Sequence, residues 1–319
     1  MWSCLILVGT ANFPRDCHAR SKATWGLPRR PHYVRPPRND GSSREIASLA
    51  ALARIDCALF SSSIILRLDT DIVRQLIALN SRFYQSLAAP FSASRGRLQP
   101  GVLRVLEGLP AEADVLDLGC GNGGVARELA CRGHRGRYVG VDSSEELLKE
   151  ARKNVQIPRS SVQRPTSSIQ FIQADLTSNF NQHSAFSNQH FDFVFAFAML
   201  HHIPSRELRL GFLKQVGGLL APGGRFVHSN WQFLNSPRLR DRIQPWEAVD
   251  LDESQVDAGD YLLDWRSGGR GLRYVHHFHE AELGDLAAEA GFQVVDSFLS
   301  DGKGGDLALY QEWVVAAAK

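Results

Sequence analysis

The residues with the clearest chemical potential lie between positions 117 and 175, where short apolar runs end. The sequence GCGNG at 119–123 follows one such run directly. Glycines let the backbone turn sharply and let a ligand approach the main chain, and the helix that follows presents unpaired N–H groups at its positive end. Such a loop can bind the pyrophosphate of a dinucleotide or the carboxylate of a cofactor that resembles an amino acid.

Three carboxylates favour the second possibility. Asp117 precedes the loop, where it would repel a phosphate but suits the ammonium of a methionine moiety. Asp142 ends the next apolar run, about 20 residues on, and can accept both hydroxyls of a ribose; Asp175 ends the third and could bind the amino group of an adenine. The loop also lacks the G-x-G-x-x-G spacing typical of dinucleotide sites. Each of the last two carboxylates could instead cap the segment that follows it, and the glycines could serve the turn alone.

These side chains need a framework that brings the ends of the apolar runs together. Strands are predicted at 114–118, 138–142, 169–175, 191–197 and 225–229, and helices at 69–84, 100–108, 125–131, 145–155, 208–220 and 279–290. Alternating strands and helices of this length predict a parallel sheet with helices on both faces. Residues 292–298 and 307–315 predict a final antiparallel hairpin, whereas 230–278 shows no clear period and is predicted to be irregular.

Five sequence elements carry a resemblance to a known family. VLDLGCGNG, VGVDSS, FIQADL, FDFVFAFAMLHHI and LLAPGGRFV occur in this order between about 115 and 230. In this order and spacing they resemble the class I S-adenosylmethionine-dependent methyltransferases. The resemblance implies an α/β fold with a Rossmann-like, seven-stranded, mostly parallel sheet, helices on both faces and a terminal antiparallel hairpin. It also implies an enzyme that uses S-adenosyl-L-methionine as its cofactor.

The resemblance also implies roles for particular residues. His201 and His202 follow the fourth strand, near the expected position of the methyl donor; we expect His201 to face the site and act in catalysis while its neighbour packs. The implied cofactor-binding residues are Asp117, Gly119, Gly121, Asp142, Asp175, Leu176, Ala196 and Arg95.

Shorter sequence elements carry a second resemblance, which bears on the molecule that accepts the methyl group. GDYLLDW at 259–265, LRYVHHFH at 272–279 and two segments near 83–84 and 91–95 resemble the tRNA wobble-uridine carboxymethyl methyltransferases. The family's proline before the tryptophan is Asp264 here. The resemblance implies esterification of a 5-carboxymethyl group on uridine, with tRNA as the partner.

For that reaction we expect Arg273 to pair with the carboxylate and Trp265 or Tyr274 to stack a base. Tyr84 is expected to contact the substrate, and Arg273 and Tyr274 are assigned to the catalytic group. Arg273 could equally be a surface or helix-pairing arginine.

Composition limits the other possibilities. The chain has 319 residues, 44% of them hydrophobic and 22% charged, as is typical of a globular protein. Five cysteines without a C-x-x-C pair disfavour disulfide and zinc scaffolds and favour a reducing compartment, so we expect a cytoplasmic protein. No apolar run is long enough for a membrane span, and the histidines at 276, 277 and 279 have no spaced partner ligands, so we expect no metal.

Charge divides the chain into two parts. Residues 1–67 hold ten basic and four acidic residues, and 68–319 hold 26 basic and 30 acidic ones. We predict a poorly structured basic extension at 1–67, which is a leader, a nucleic-acid-binding tail or a start set too far upstream. A methyltransferase domain is predicted at 68–319, with 231–278 as a substrate cap.

The net −4 of the second part weighs against RNA, whose binding depends on basic residues. A helper subunit or a local arginine patch could supply them. The alternatives are a small-molecule O- or N-methyl acceptor and, in another class, a cofactor-binding partner subunit without catalysis.

Overall fold

The structure is a computed structural model that describes residues 68–88, 90, 92, 96–155, 168–186 and 189–316. The predicted extension at 1–67 and the predicted cofactor ligand Arg95 lie outside the described residues.

Ten strands and seven α-helices organise this part of the chain. The strands are β1 (Val115–Leu118), β2 (Tyr138–Asp142), β3 (Ile169–Gln173), β4 (Phe191–Phe197), β5 (Leu220–Trp231), β6 (Ile243–Gln244), β7 (Asp260–Trp265), β8 (Gly271–His276), β9 (Phe292–Ser300) and β10 (Ala308–Val315). The helices are α1 (Thr70–Ser86), α2 (Pro100–Glu107), α3 (Gly124–Cys131), α4 (Glu145–Asn154), α5 (Arg206–Leu219), α6 (Pro237–Arg240) and α7 (Glu280–Glu289). No helix of the described ranges is long and apolar enough to cross a bilayer.

Seven of the strands form one sheet in the order β3-β2-β1-β4-β5-β10-β9. The first five strands of the chain pair in parallel, while β10 runs antiparallel to both β5 and β9. This arrangement confirms the predicted Rossmann-like sheet and its terminal antiparallel hairpin. The carboxyl ends of β1 to β4 meet at one edge, which is where open α/β sheets bind ligands.

The central strands are apolar on both faces because helices cover both. Leu116, Val194 and Phe226 pack on one side with α5 and α7, whereas Val115 and Phe195 pack on the other with α2 and α3. Strands buried on both faces appear as continuous apolar runs in the sequence. The runs noted above therefore predicted these strands correctly.

The segment 231–278 is more regular than predicted. It contains β6, β7 and β8, which form a separate antiparallel sheet in that order. The prediction of an irregular region was wrong because β7 and β8 bury side chains on both faces and so lack an alternating pattern. Asn80 of α1 hydrogen-bonds to both the N–H and the carbonyl of Tyr274 in β8, which joins α1 to this small sheet.

Candidate active site

A cavity of about 980 Å³ opens at the carboxyl ends of the parallel strands. Its walls include the predicted cofactor ligands Asp117, Gly119, Gly121, Asp142, Asp175 and Leu176. The small sheet and α1 contribute the opposite wall, which includes Tyr84, Trp265 and Arg273. The structure thus brings together residues that are far apart in sequence.

The glycine loop forms one wall through unusual backbone angles. Gly119 and Gly121 have φ of 80° and 55°, in the left-handed region that favours glycine. The N–H of Gly119 donates to the carbonyl of Val141 at 2.8 Å, which ties the loop to β2. A Cβ at Gly119 would lie 2.7 Å from Cγ of Met199, whereas one at Gly121 would meet no atom within 4 Å. Gly121 therefore presents bare backbone to open space.

Asp142 both lines the cavity and organises the backbone around it. Its Oδ2 accepts the N–H of Gly121 at 2.9 Å, and its Oδ1 accepts the N–H of Ser144 at 2.9 Å. Burial raises the pKa of Asp142, although these backbone N–H groups oppose the shift. Asp142 therefore both caps the segment that follows it and lines the cavity.

Asp117 is buried at the end of β1, and its carboxylate has one strong partner. The hydroxyl of Tyr138 donates to Oδ2 of Asp117 at 2.6 Å. Burial raises the pKa of Asp117 to about 7, with the Tyr138 hydrogen bond opposing and Asp142 adding to the shift. Burial also raises the pKa of the Cys120 thiol well above its usual value, so this cavity-lining side chain stays neutral.

Asp175 stands at the exposed end of β3 and holds the turn that follows. Its Oδ1 accepts the N–H of Thr177 at 2.8 Å and the Thr177 hydroxyl at 2.7 Å. Leu176, beside it, is buried against the core and also lines the cavity.

Two predicted residues do not reach the cavity, and a neighbour of each does. Ala196 is fully buried within β4; Ala198, with φ of 52° just beyond the strand, lines the cavity instead. His201 is also fully buried, with its ring stacked on Trp231, and the turn at Leu200–His202 directs His202 to the cavity. The predictions for Ala196 and His201 were wrong for the same reason: the residue that faces the site depends on the turn after β4.

His202 and Tyr84 form a hydrogen-bonded pair on the cavity wall. The carbonyl of Tyr274 can only accept, so His202 Nδ1, 3.1 Å away, donates to it. In the neutral ring Nε2 then carries a lone pair, and it accepts the hydroxyl of Tyr84 at 2.8 Å. Asn80 donates to the carbonyls of both His202 and Tyr274 at 3.2 Å, which holds α1 against this turn.

Arg273 lies among aromatic rings at the acceptor side of the cavity. Its guanidinium carbon is 4.4 Å from the ring centre of Trp231, 5.4 Å from Trp265 and 5.3 Å from Phe83. Such cation–π contacts fix the plane of a guanidinium group. The geometry rules out the alternative of a surface arginine.

Tyr274, next to Arg273 in β8, points to the other face of the strand. Its ring is fully buried, and its hydroxyl donates to Oδ1 of Asp260 at 2.6 Å while Arg209 donates to that hydroxyl at 3.4 Å. Tyr274 is therefore not positioned to stack a base or to act on a substrate. This prediction was wrong because successive residues of a strand face opposite sides.

Several cavity residues were missed by sequence reasoning, and nothing local marked them. They are Asn80, Trp231, Asp301 and Tyr310. Arg97, Arg238 and Arg242, which also line the cavity, belong to the local arginine patch that the sequence left open, and His202 belongs to the histidine pair after β4. The histidines near 276 do not converge on one point: His276 contacts Asp260 and Glu282, and no metal-binding cluster occurs among the described residues.

Comparison with known proteins supports a methyl-transfer fold. An Encephalitozoon cuniculi protein named as a methyltransferase is 27% identical over 216 residues, covering 67% of this chain and 87% of that protein. The tRNA (carboxymethyluridine(34)-5-O)-methyltransferase ALKBH8 of Macaca fascicularis is 27% identical over 168 residues, 52% of this chain. The 2-heptyl-1-hydroxyquinolin-4(1H)-one methyltransferase of Mycobacteroides abscessus is 30% identical over 143 residues, 45% of this chain. The chain spans only 20% of ALKBH8 and 57% of the mycobacterial enzyme.

A solved structure shows the same fold. A methyltransferase from Methanosarcina mazei superposes with a TM-score of 0.53 at 21% identity, covering 70% of this chain and all of that one. Sheet order, glycine loop and cavity together define an S-adenosylmethionine-dependent methyltransferase. The family model described as methyltransferase domain matches residues 92–297, and the chain belongs to that family. The cavity suits this cofactor, because its described residues offer bare glycine backbone beside three carboxylates and no cluster of basic side chains at the loop.

Proposed function

We propose that this domain transfers the methyl group of S-adenosylmethionine to the carboxylate of a 5-carboxymethyluridine at the wobble position of tRNA. The observation that carries the proposal is Arg273, which faces the cavity with its guanidinium held between Trp231 and Trp265. An arginine fixed in this way is suited to bind a carboxylate through two parallel hydrogen bonds. The likeness to ALKBH8, whose name specifies this nucleoside, supports the same acceptor.

The cofactor end of the cavity has the donors and acceptors that S-adenosylmethionine requires. Asp117 would bind the ammonium of the methionine moiety, and the backbone near Gly121 would face its carboxylate. Asp142 would accept the ribose hydroxyls, since its oxygens have lone pairs beyond those used by Gly121 and Ser144. Asp175 would bind the adenine amino group, with Leu176 against the ring. When bound, this cofactor supplies an electrophilic methyl group.

The acceptor end carries positive charge despite the net −4 of 68–319. Arg238 and Arg242 line the cavity together with Arg273. Among the described residues, the side chains of Arg238 and Arg242 pair with no carboxylate. They are therefore available to phosphates that flank an extruded nucleotide, while Trp265 stacks on its base.

A carboxylate is already ionised at neutral pH and needs no base to accept a methyl group. The contribution of these residues is therefore alignment of the oxygen with the methyl carbon, which is worth several kcal/mol in favourable cases. Arg273 must balance two demands, because it has to orient the carboxylate without lowering the reactivity of the oxygen that attacks.

The test is methylation of tRNA that has first been saponified with mild alkali, which converts methyl esters into free carboxylates. With labelled cofactor, we expect label in one wobble nucleoside, released again as methanol by the same alkali treatment. Arg273→Lys should lower kcat/KM at least about tenfold because lysine cannot form the two parallel bonds. The exposed neighbour provides the matched control, since Arg270→Lys should retain the wild-type rate. Label that resists alkali, or no label in a protein that binds S-adenosylhomocysteine, would refute the proposed acceptor.

A further inference from the structure

The methylation of a carboxylate needs no base, so it does not require the hydrogen-bonded pair of Tyr84 and His202. The phenol donates to Nε2 of His202 at 2.8 Å, and Nδ1 of the same ring donates to the carbonyl of Tyr274 at 3.1 Å. Tyr84 and His202 both line the cavity. The proton of the phenol is thus directed toward His202, while the phenol oxygen carries lone pairs that can accept a hydrogen bond from a bound molecule.

The direction of the hydrogen bond from Tyr84 to His202 discriminates between possible methyl acceptors. A phenol oxygen whose proton is engaged repels a carboxylate but accepts a hydrogen bond from an O–H group. A hydroxyl acceptor must lose its proton as it attacks, and a base in contact with that proton accelerates such reactions about 10²- to 10⁴-fold. The pair is arranged as such a base.

The surroundings define what else the acceptor would carry. Phe83 lies directly before Tyr84 on α1, and its ring centre is 5.3 Å from the guanidinium carbon of Arg273. The base and the guanidinium group therefore lie on adjoining parts of one cavity wall. Trp231 and Trp265 provide flat apolar surface beside them.

The geometry points to a second activity of this cavity: O-methylation of a hydroxylated aromatic acid, with Tyr84 and His202 as the proton acceptor and Arg273 as the carboxylate ligand. It shares with the proposed function the methyl donor, the cavity and Arg273 as the carboxylate ligand, whereas Tyr84 and His202 act only in the second activity. The phenolic oxygen of the acceptor forms a bond to the methyl carbon as the bond from that carbon to sulfur breaks, with its electron pair left on sulfur. The phenolic proton passes to the oxygen of Tyr84 while the proton of Tyr84 passes to Nε2 of His202. The products are an aryl methyl ether and a thioether, and His202 returns its proton to water.

Asn80 acts as a positioning residue for this pair. Its amide donates to the carbonyl of His202 and to that of Tyr274, both at 3.2 Å, and its Oδ1 accepts the N–H of Tyr274 at 2.8 Å. These contacts fix the carbonyl that selects the tautomer of His202. They also hold α1, and with it Tyr84, at the distance that the transfer needs.

The first experiment measures binding to the full chain without cofactor, by isothermal titration with 4-hydroxybenzoate and with benzoate. We expect the hydroxylated acid to bind about fivefold more tightly, the equivalent of one hydrogen bond of about 1 kcal/mol. Tyr84→Phe should abolish that preference and leave benzoate binding unchanged. Equal binding of the two acids by the wild type would overturn the inference.

The second experiment follows product formation from 4-hydroxybenzoate with labelled S-adenosylmethionine. We expect 4-methoxybenzoate, and a rate at about pH 7 at least about tenfold lower in His202→Ala. The deficit should shrink toward about pH 10, where a phenol with an ordinary pKa of about 10 ionises without help. Exposed His279 is the control, and His279→Ala should leave the rate unchanged.

Circular dichroism and thermal melting establish that each variant is folded before its rate is interpreted. A wild-type rate in His202→Ala, a methyl ester in place of the ether, or no ether from protein that binds S-adenosylhomocysteine would each contradict the second activity. The tRNA assay is separate, so ether formation without tRNA methylation, or the reverse, shows which of the two proposals fails.

Discussion

The hydroxyl of Tyr138 donates a 2.6 Å hydrogen bond to Oδ2 of Asp117, and this contact between neighbouring strands holds a buried carboxylate at the cavity wall. Within the described part of the chain, no cation forms an ion pair with Asp117. Burial accordingly raises its pKa to about 7, so near neutral pH the residue is half protonated.

This gives a prediction for cofactor binding. An ammonium group binds the ionised form of Asp117, and the ionised fraction rises from about a tenth at about pH 6.0 to about three quarters at about pH 7.5 for a pKa of about 7. The affinity for S-adenosylhomocysteine should therefore increase about eightfold over this range, with proton uptake by the buffer. Isothermal titration in buffers of different ionisation enthalpy measures both effects. Asp117→Asn should bind weakly and without this pH dependence; a pH-independent wild type would show that Asp117 does not meet the ammonium.

The two glycines of the loop should respond differently to alanine. At Gly119 a methyl group would be strained by φ of 80° and would lie 2.7 Å from Cγ of Met199, so Gly119→Ala should lower the free energy of unfolding by about 2 kcal/mol or more. At Gly121 the methyl group meets only open space, and the cost should be about 1–2 kcal/mol from backbone strain.

Cofactor binding should distinguish Gly119→Ala from Gly121→Ala further, because we place the cofactor in the open space beside Gly121. Gly121→Ala should lower the affinity for S-adenosylhomocysteine at least about tenfold although it is the milder change for stability. Urea unfolding and titration calorimetry on the same samples test this. If Gly121→Ala binds as the wild type does, the cofactor does not approach the loop at that point.

The cofactor end of the site was predictable because each of its residues adjoins the end of an apolar run. In a parallel sheet those ends share one edge, so local patterns alone brought Asp117, Asp142 and Asp175 together. The same reasoning failed at Ala196, because β4 continues past this residue. Only the positive φ of Ala198 marks the start of the turn.

The acceptor end depends on contacts that no local pattern contains. His201 and His202 are adjacent and chemically identical, and packing of one against Trp231 decides which faces the cavity. Arg273 and Tyr274 could be told apart only once β8 was known to be a strand. Its burial on both faces removed the alternation that would have shown this.

Asp142 and Asp175 should contribute unequally to cofactor binding. Asp142 is half-buried and holds the N–H of Gly121 in place, whereas Asp175 is exposed and stabilises a turn at the sheet edge. Asp142→Ala should lower the affinity for S-adenosylhomocysteine more than about tenfold, and Asp175→Ala about threefold. Asp192→Ala serves as the control, because Asp192 is exposed at the opposite end of the sheet, where it accepts the N–H of Asp114. The reverse order of the first two effects would remove the assigned ribose contact.

Arg209 should be a major determinant of stability because it joins the core to the small sheet. Its guanidinium is 3.2 Å from Glu282, 3.6 Å from Asp260 and 3.7 Å from Asp257, and its side chain is only 1% exposed. Removing one partner of a buried ionic network leaves uncompensated charge, at a cost of about 3–5 kcal/mol.

Arg209→Ala should therefore lower the free energy of unfolding by that amount in urea titrations. The more exposed pair of Arg225 and Glu312 provides the comparison, and Arg225→Ala should cost less than about 1 kcal/mol. Since Asp260 also accepts the hydroxyl of Tyr274, loss of Arg209 should loosen β8 and so weaken the hold on Arg273. A loss below about 1 kcal/mol for Arg209→Ala would mean that water replaces the guanidinium, and that the apolar contacts and the Asn80 hydrogen bonds hold the small sheet without this ionic network.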